Sequence, residues 1–201
     1  DPSKDRLDKT LYYIEQSHLL TQDLNDSNED DILKLLEEYK NSFLEYVKID
    51  KERKAIIAEY ANRANTLNHT FKMVINVNYN DGDPNVIKLI NKLIFDRTSI
   101  NKRIVNYLTS GKRIKSEELE ETIELLLGIE SSIEQLLPII NDKKNIDNLS
   151  KLLNDTKFYV NLVGKLIENN EKLIKNSQKA IPAVLEAEAK IISIRNERVD
   201  K

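Results

Sequence analysis

The stretch Asp31-Ile32-Leu33-Lys34-Leu35-Leu36-Glu37-Glu38-Tyr39-Lys40-Asn41-Ser42-Phe43 decides the fold class. Ile32, Leu36, Tyr39 and Phe43 step by three and four, the spacing that puts side chains on one face of an α-helix. Nothing interrupts that rhythm on either side. Helix B starts near Glu29 and continues to about Asn76, through Tyr46, Ile57, Tyr60, Ala64, Leu67, Phe71 and Val74. A run of this length without glycine or proline excludes a strand and predicts a long amphipathic helix.

Working outward, the same spacing yields four more helices. Helix A runs from about Ser3 to Asp23, and the turn Asn25-Asp26-Ser27-Asn28 follows it. Asn80-Asp81-Gly82-Asp83 ends helix B, and Asp83-Pro84 offers an N-cap and a preset first residue for helix C. Helix C carries Val86, Ile90, Leu93, Ile100, Ile104 and Tyr107 and stops at Gly111. Ser116 is expected to cap helix D, whose stripe is Leu119, Thr122, Leu126, Ile129, Ile133, Leu136 and Ile140. The polar turn Asn141–Asn145 opens helix E, read through Ile146, Leu153, Val160, Val163, Ile167, Ile174, Ile181, Val184 and Ile191, with Pro182 bending it.

At ~1.5 Å per residue, B and E each exceed about 70 Å while C and D reach roughly 35 Å. The expected fold is therefore all-α: an elongated antiparallel helical bundle in which two long helices are shared by two stacked sections. The distal four-helix section covers about 54–169, and the proximal one about 1–53 plus 170–201. The proximal section has only A, B and E. A helix preceding Asp1 or a second copy of the chain would complete it, which argues for a homodimer.

Composition narrows the function. The 201 residues carry 31 Lys+Arg and 34 Asp+Glu, a net charge of -3, which leaves no electrostatic footprint for nucleic acid. There is no cysteine, so disulfides, thiolate metal sites and a thiol nucleophile are excluded. No run approaches ~18 apolar residues, and Asp1-Pro2-Ser3 does not read as a signal peptide. His18 and His69 have no second ligand at metal spacing. Acidic first turns such as Glu29-Asp30-Asp31 and Glu117-Glu118 offset helix dipoles and need no catalytic explanation. No nucleophile elbow, phosphate loop or paired-carboxylate motif calls for an enzyme, and no cofactor is implied.

One echo stands out. Asp8-Lys9-Thr10 precedes Leu20-Thr21 at the spacing by which Asp96-Arg97-Thr98 precedes Leu108-Thr109. The second copy sets Arg97 within the seam 90, 93, 97, 100, 104 of helix C, where an unpaired guanidinium is costly. Folding B, D and E about their turns brings Arg97 level with Tyr60, Arg63, Gly128 and Thr156. Gly128, a mid-helix glycine, leaves a side-chain-sized space. A cation facing that space is a candidate site for a small carboxylate, with Arg97 as its bidentate anchor. The plainer alternative pairs Arg97 with Glu59 or Glu130, or lets it reach solvent. A second polar layer, Asp50 and Arg53 near Thr109 and Asn170, reads as a solvated junction or a register-setting ion pair.

The helix ends Leu19-Leu20-Thr21-Gln22-Asp23 and Tyr107-Leu108-Thr109-Ser110-Gly111 carry a resemblance, as do the long-helix openings Leu36–Phe43 and Leu153–Val160. The pattern resembles the helical bimodular sensor domain, and the simpler four-helix-bundle sensor domain, of bacterial chemoreceptors and sensor kinases. It departs from the six-helix bimodular plan in having one short helix, not two, before the first long one. The resemblance implies an extracytoplasmic ligand-binding domain, anchored in the membrane only by flanking segments and signalling through its long helices. The alternatives are a secreted or lipid-anchored surface protein that binds a macromolecule, and an intracellular scaffold.

Overall fold

The structure is a computed structural model, and it describes residues 2–22, 29–78, 83–109 and 115–199. Among them are five helices and no strand: α1 (Pro2–Gln22), α2 (Glu29–Asn78), α3 (Pro84–Thr109), α4 (Ser116–Leu136) and α5 (Lys143–Val199). The chain is an all-α bundle. No described helix is long and apolar enough to cross a membrane. The turn at 25–28, most of the turn at 80–83, and Gly111 lie outside the described residues.

Local chemistry sets the ends. Asp83 accepts a hydrogen bond from the backbone N–H of Asn85 at 2.7 Å, ahead of Pro84, the first residue of α3. Asp142 does the same for Asn145 at 2.9 Å, so the polar turn opens α5 three residues before its first apolar position. At α4 the expected cap is displaced. Lys115 is the N-cap, and Ser116 is already helical, because the Glu118 carboxylate reaches back to the backbone N–H of Lys115 at 3.3 Å. Pro182 lies inside α5, which continues through it.

Contacts divide the chain into two units, Asp1–Lys51 with Lys172–Lys201, and Glu52–Glu171. In the second unit, segments of α2 and α5 join α3 and α4 around one apolar core. Leu67, Phe71 and Val74 of α2 meet Val86, Ile90 and Leu93 of α3, Leu126, Ile129 and Ile133 of α4, and Leu149, Leu152 and Tyr159 of α5. All seven stripe positions of α4 are buried, Ile140 in the turn beyond the helix end. In the first unit, α1, the start of α2 and the end of α5 bury Ile14, Ile32, Leu36, Ile49, Ala187 and Ile194. Lys190 pairs there with Asp31 at 2.8 Å, His18 lies 3.8 Å from Glu37, and the Asn176 amide donates to the Ser42 carbonyl.

The register of α5 corrects the sequence reading. The buried stripe is Leu149, Leu152, Thr156, Tyr159, Val163, Leu166, Asn170 and Leu173, one position back from Leu153, Val160, Ile167 and Ile174. Only Val163 belongs to both. The choice of aliphatic residues alone missed the true seam, which admits Thr156, Tyr159 and Asn170 because each can satisfy its polar atoms locally or across the core. Beyond residue 173, Ile174, Ile181 and Ile191 are exposed instead of buried. Tyr46 of α2 is likewise exposed, with Ile49 taking the seam.

Candidate functional site

Successive residues on a helix point about 100° apart, and that rotation governs the site. Asp96 and Arg97, neighbours on α3, face different partners. Arg97 faces α2. Its Nε donates to Asn68 Oδ1 at 3.3 Å, and its guanidinium carbon lies 5.5 Å from the centre of the Phe71 ring. Asn68 and Phe71 are three residues apart and so share one face of α2. Asn101, one turn along α3, donates to the same Asn68 oxygen at 3.5 Å. The guanidinium is half-buried, and burial lowers its pKa from the ordinary arginine value.

Neither carboxylate expected to neutralise Arg97 does so. Glu59 sits 3.8 Å from Arg63, and Glu130 pairs with Lys157 at 3.3 Å. Among the described residues no carboxylate forms an ion pair with Arg97. Its Nε is held by Asn68, which fixes the plane of the fork and leaves the two terminal nitrogens for a carboxylate or phosphate.

Asp96 faces α4, and here the expected gap is filled. A Cβ built on Gly128 would stand 2.9 Å from Asp96 Oδ2. The space left by Gly128 therefore belongs to Asp96 and not to Arg97. Asp96 is buried, and its Oδ2 has no hydrogen-bond partner among the described residues. Desolvation raises its pKa above the ordinary aspartate value, opposed by the nearby Lys92 ammonium, which itself reaches the Gly128 carbonyl at 3.5 Å. These groups line an open groove of about 510 Å³ between α3 and α4, with Glu124 and the ion-paired Arg103 and Glu121 at its rim.

No family model, curated protein or solved structure matches this chain.

The remaining expected residues belong elsewhere. Tyr60 is buried against α5, its ring 4.3 Å from that of Tyr159 at 71°, and its carbonyl accepts the Tyr159 hydroxyl at 3.2 Å. Burial, with the charge of Asp155, pushes the Tyr159 phenol upward against the opposing Arg63, so it stays protonated. Arg63 is exposed and lies 3.9 Å over the Phe158 ring, a cation–π contact on the surface of the α2–α5 pair. Thr156 is buried and donates to the Leu152 carbonyl at 2.8 Å, which commits its hydroxyl proton to its own helix. The five residues expected to line one pocket thus lie apart: Arg97 against α2, Tyr60 and Arg63 against α5, Gly128 against α3, and Thr156 in the core.

Sequence reasoning missed Asn68 and Asp96. Asn68 carries no periodic signal. Asp96 did, as the first residue of the Asp-Arg-Thr triplet, yet the seam count assigned the inward direction to its neighbour. Of the second polar layer, Asp50 and Arg53 are each half-buried, Asn170 is buried, and the Thr109 side chain lies outside what is described. Among the described residues no His, Asp and Glu group has the arrangement of a metal site.

Proposed function

We propose that this chain is the ligand-binding sensor domain of a bacterial transmembrane signalling protein, a chemoreceptor or histidine kinase, which binds a small organic anion outside the membrane without turning it over. The observation that supports this reading is Arg97: a half-buried guanidinium steered by Asn68 and Phe71, with no carboxylate partner among the described residues. A burial cost of this kind is offset when an anion arrives. The bound carboxylate takes the two terminal nitrogens, and Asn101, on the same face, supplies a further amide contact.

Signalling would be a population shift. An anion at Arg97 favours one packing of α3 against α2 over another. The helix α2 runs unbroken through residues 51 and 52, where the two units divide, and α5 runs unbroken through 171 and 172. A change in either helix within Glu52–Glu171 is therefore made in an element that also builds the other unit.

The test is a thermal-shift screen of small mono- and dicarboxylates. At a ligand concentration ~100 times its dissociation constant, stabilisation of ~2.7 kcal/mol is expected. Arg97→Ala should abolish the shift while leaving helicity and cooperative melting intact. A parent chain that no acid stabilises, or an Arg97→Ala chain stabilised as much as the parent, refutes the reading.

A further inference from the structure

Two unfavourable choices fall at one place between α3 and α4. Gly128 sits in the middle of α4, where glycine is a poor helix former. Asp96 fills the space it leaves, with Oδ2 2.9 Å from where a Cβ would stand. Asp96 is only 6% exposed, and this oxygen has no hydrogen-bond partner among the described residues. Alanine at 128 facing an apolar side chain at 96 would close the same contact without burying a charge. The carboxylate lines the open groove of about 510 Å³, whose walls are Lys92, Asp96 and Arg103 on α3 and Glu121, Glu124 and Gly128 on α4.

We propose that this groove binds a short aliphatic diamine, with Asp96 and Glu124 each taking one ammonium group. The groove already holds an ammonium of its own. Lys92 donates to the Gly128 carbonyl at 3.5 Å without forming an ion pair with Asp96. Ser132 takes the other lone pair of that carbonyl at 2.8 Å, so a ligand displaces Lys92 and not Ser132. A free ammonium has three donors and can meet the carbonyl and the Asp96 carboxylate together. Asp96 has lost its water in folding, so an arriving counter-ion is held more strongly than at the surface. Glu124, one turn from Gly128 on the same face of α4, is exposed and forms no ion pair among the described residues. That turn rises ~6 Å, which matches the span of a four-carbon chain between two nitrogens. Glu121 is committed to Arg103. Three carboxylates and two cations line the groove, which disfavours an anion. A metal ion fits less well, because hard cations take several oxygen ligands and no metal-binding group of three His, Asp or Glu occurs among the described residues. The proposal does not rest on the anion reading, since Arg97 turns to α2 and Asp96 to α4.

Calorimetric titration of diaminobutane and butylamine into the whole chain tests it. Diaminobutane binds saturably at 1:1, and butylamine, with one ammonium, binds about tenfold more weakly. Asp96→Asn keeps the shape, removes the charge and weakens both amines about 30-fold. Glu124→Gln lowers the diamine to the affinity of butylamine and leaves butylamine unchanged. Lys92→Gln removes the tethered competitor and tightens both about threefold. Circular dichroism of each variant matches the parent, since asparagine is isosteric with aspartate and the Lys92 and Glu124 side chains are exposed. The carboxylate titrations that test Arg97 are separate, so either reading can fail alone. A parent that takes up neither amine overturns the proposal. So does an Asp96→Asn chain that binds them as the parent does, or amine binding that Lys92→Gln abolishes.

Discussion

The two units share the long helices α2 and α5 and differ in how many helices close around them. Residues 52–171 draw on four helical segments, and the apolar stripes of all four meet in one core. Residues 1–51 with 172–201 draw on three, and Ile32, Leu36 and Ile194 form a small buried cluster there. The cost shows at the surface: among the described residues, eleven of the fourteen exposed large apolar side chains fall in the smaller unit. Three amphipathic helices can hide one stripe each, but α5 brings two. Polar chemistry divides the other way, since Arg97 and Asp96 both belong to the larger unit. A well-filled core can hold a half-buried cation and a buried carboxylate in place, because the packing around them defines where they point.

The comparison breaks most visibly in the core. Leu93→Ala or Leu126→Ala removes a side chain that is at most 1% exposed and should cost about 3 kcal/mol by denaturant unfolding. Leu185→Ala, at an exposed position of the smaller unit, should stay within about 0.5 kcal/mol. Equal costs at the two places would erase the distinction between the units.

A smaller effect comes from Asp96. Its folded pKa is raised, so its charged form costs stability above that pKa, and the cost fades as pH falls and the folded state takes up the proton. Asp96→Asn should therefore stabilise the chain by about 1 kcal/mol near neutral pH. That gain should shrink toward zero as the solution becomes acidic enough to protonate the parent. A gain that does not vary with pH would mean the carboxylate is not desolvated as described.

Gly128 sharpens the same contact. Alanine there gains about 1 kcal/mol of helix propensity but sets a Cβ 2.9 Å from Asp96 Oδ2. Gly128→Ala should be neutral to destabilising in the parent and stabilising once Asp96→Ser has removed that oxygen. The sign change between backgrounds, read as a double-mutant cycle, is the prediction. Gly164→Ala serves as the reference. Nothing lies within 4 Å of its added Cβ, so the substitution should stabilise by about 0.5–1 kcal/mol in either background.

How much of this was legible in the chain depends on the helix. The stripe of α4 was read correctly at every position, because Leu, Ile and one Thr recur there at steps of three and four. The α5 stripe was read one residue late. Its seam takes in Thr156, whose hydroxyl bonds its own helix, Tyr159, whose hydroxyl reaches the Tyr60 carbonyl of α2, and the buried Asn170, while the aliphatic residues one position on are less buried. Arg97 could be found from the seam of α3, but its orientation could not: a 100° rotation separates it from Asp96, and only the packing of α4 decides which of the two meets Gly128. Asn68 left no trace in the pattern, since a half-buried asparagine on a long polar helix is ordinary until the arginine opposite is known.

Arg97 is the proposed anchor of a bound anion. Calorimetric titration of a panel of small carboxylates into the parent, Arg97→Lys and Arg97→Gln tests it most directly. Saturable 1:1 binding of at least one acid to the parent is expected. That binding should be weakened about tenfold or more in Arg97→Lys, which keeps the charge but loses the fork, and lost in Arg97→Gln. Binding of equal strength in all three, or heats from none of the acids in the parent, would contradict it.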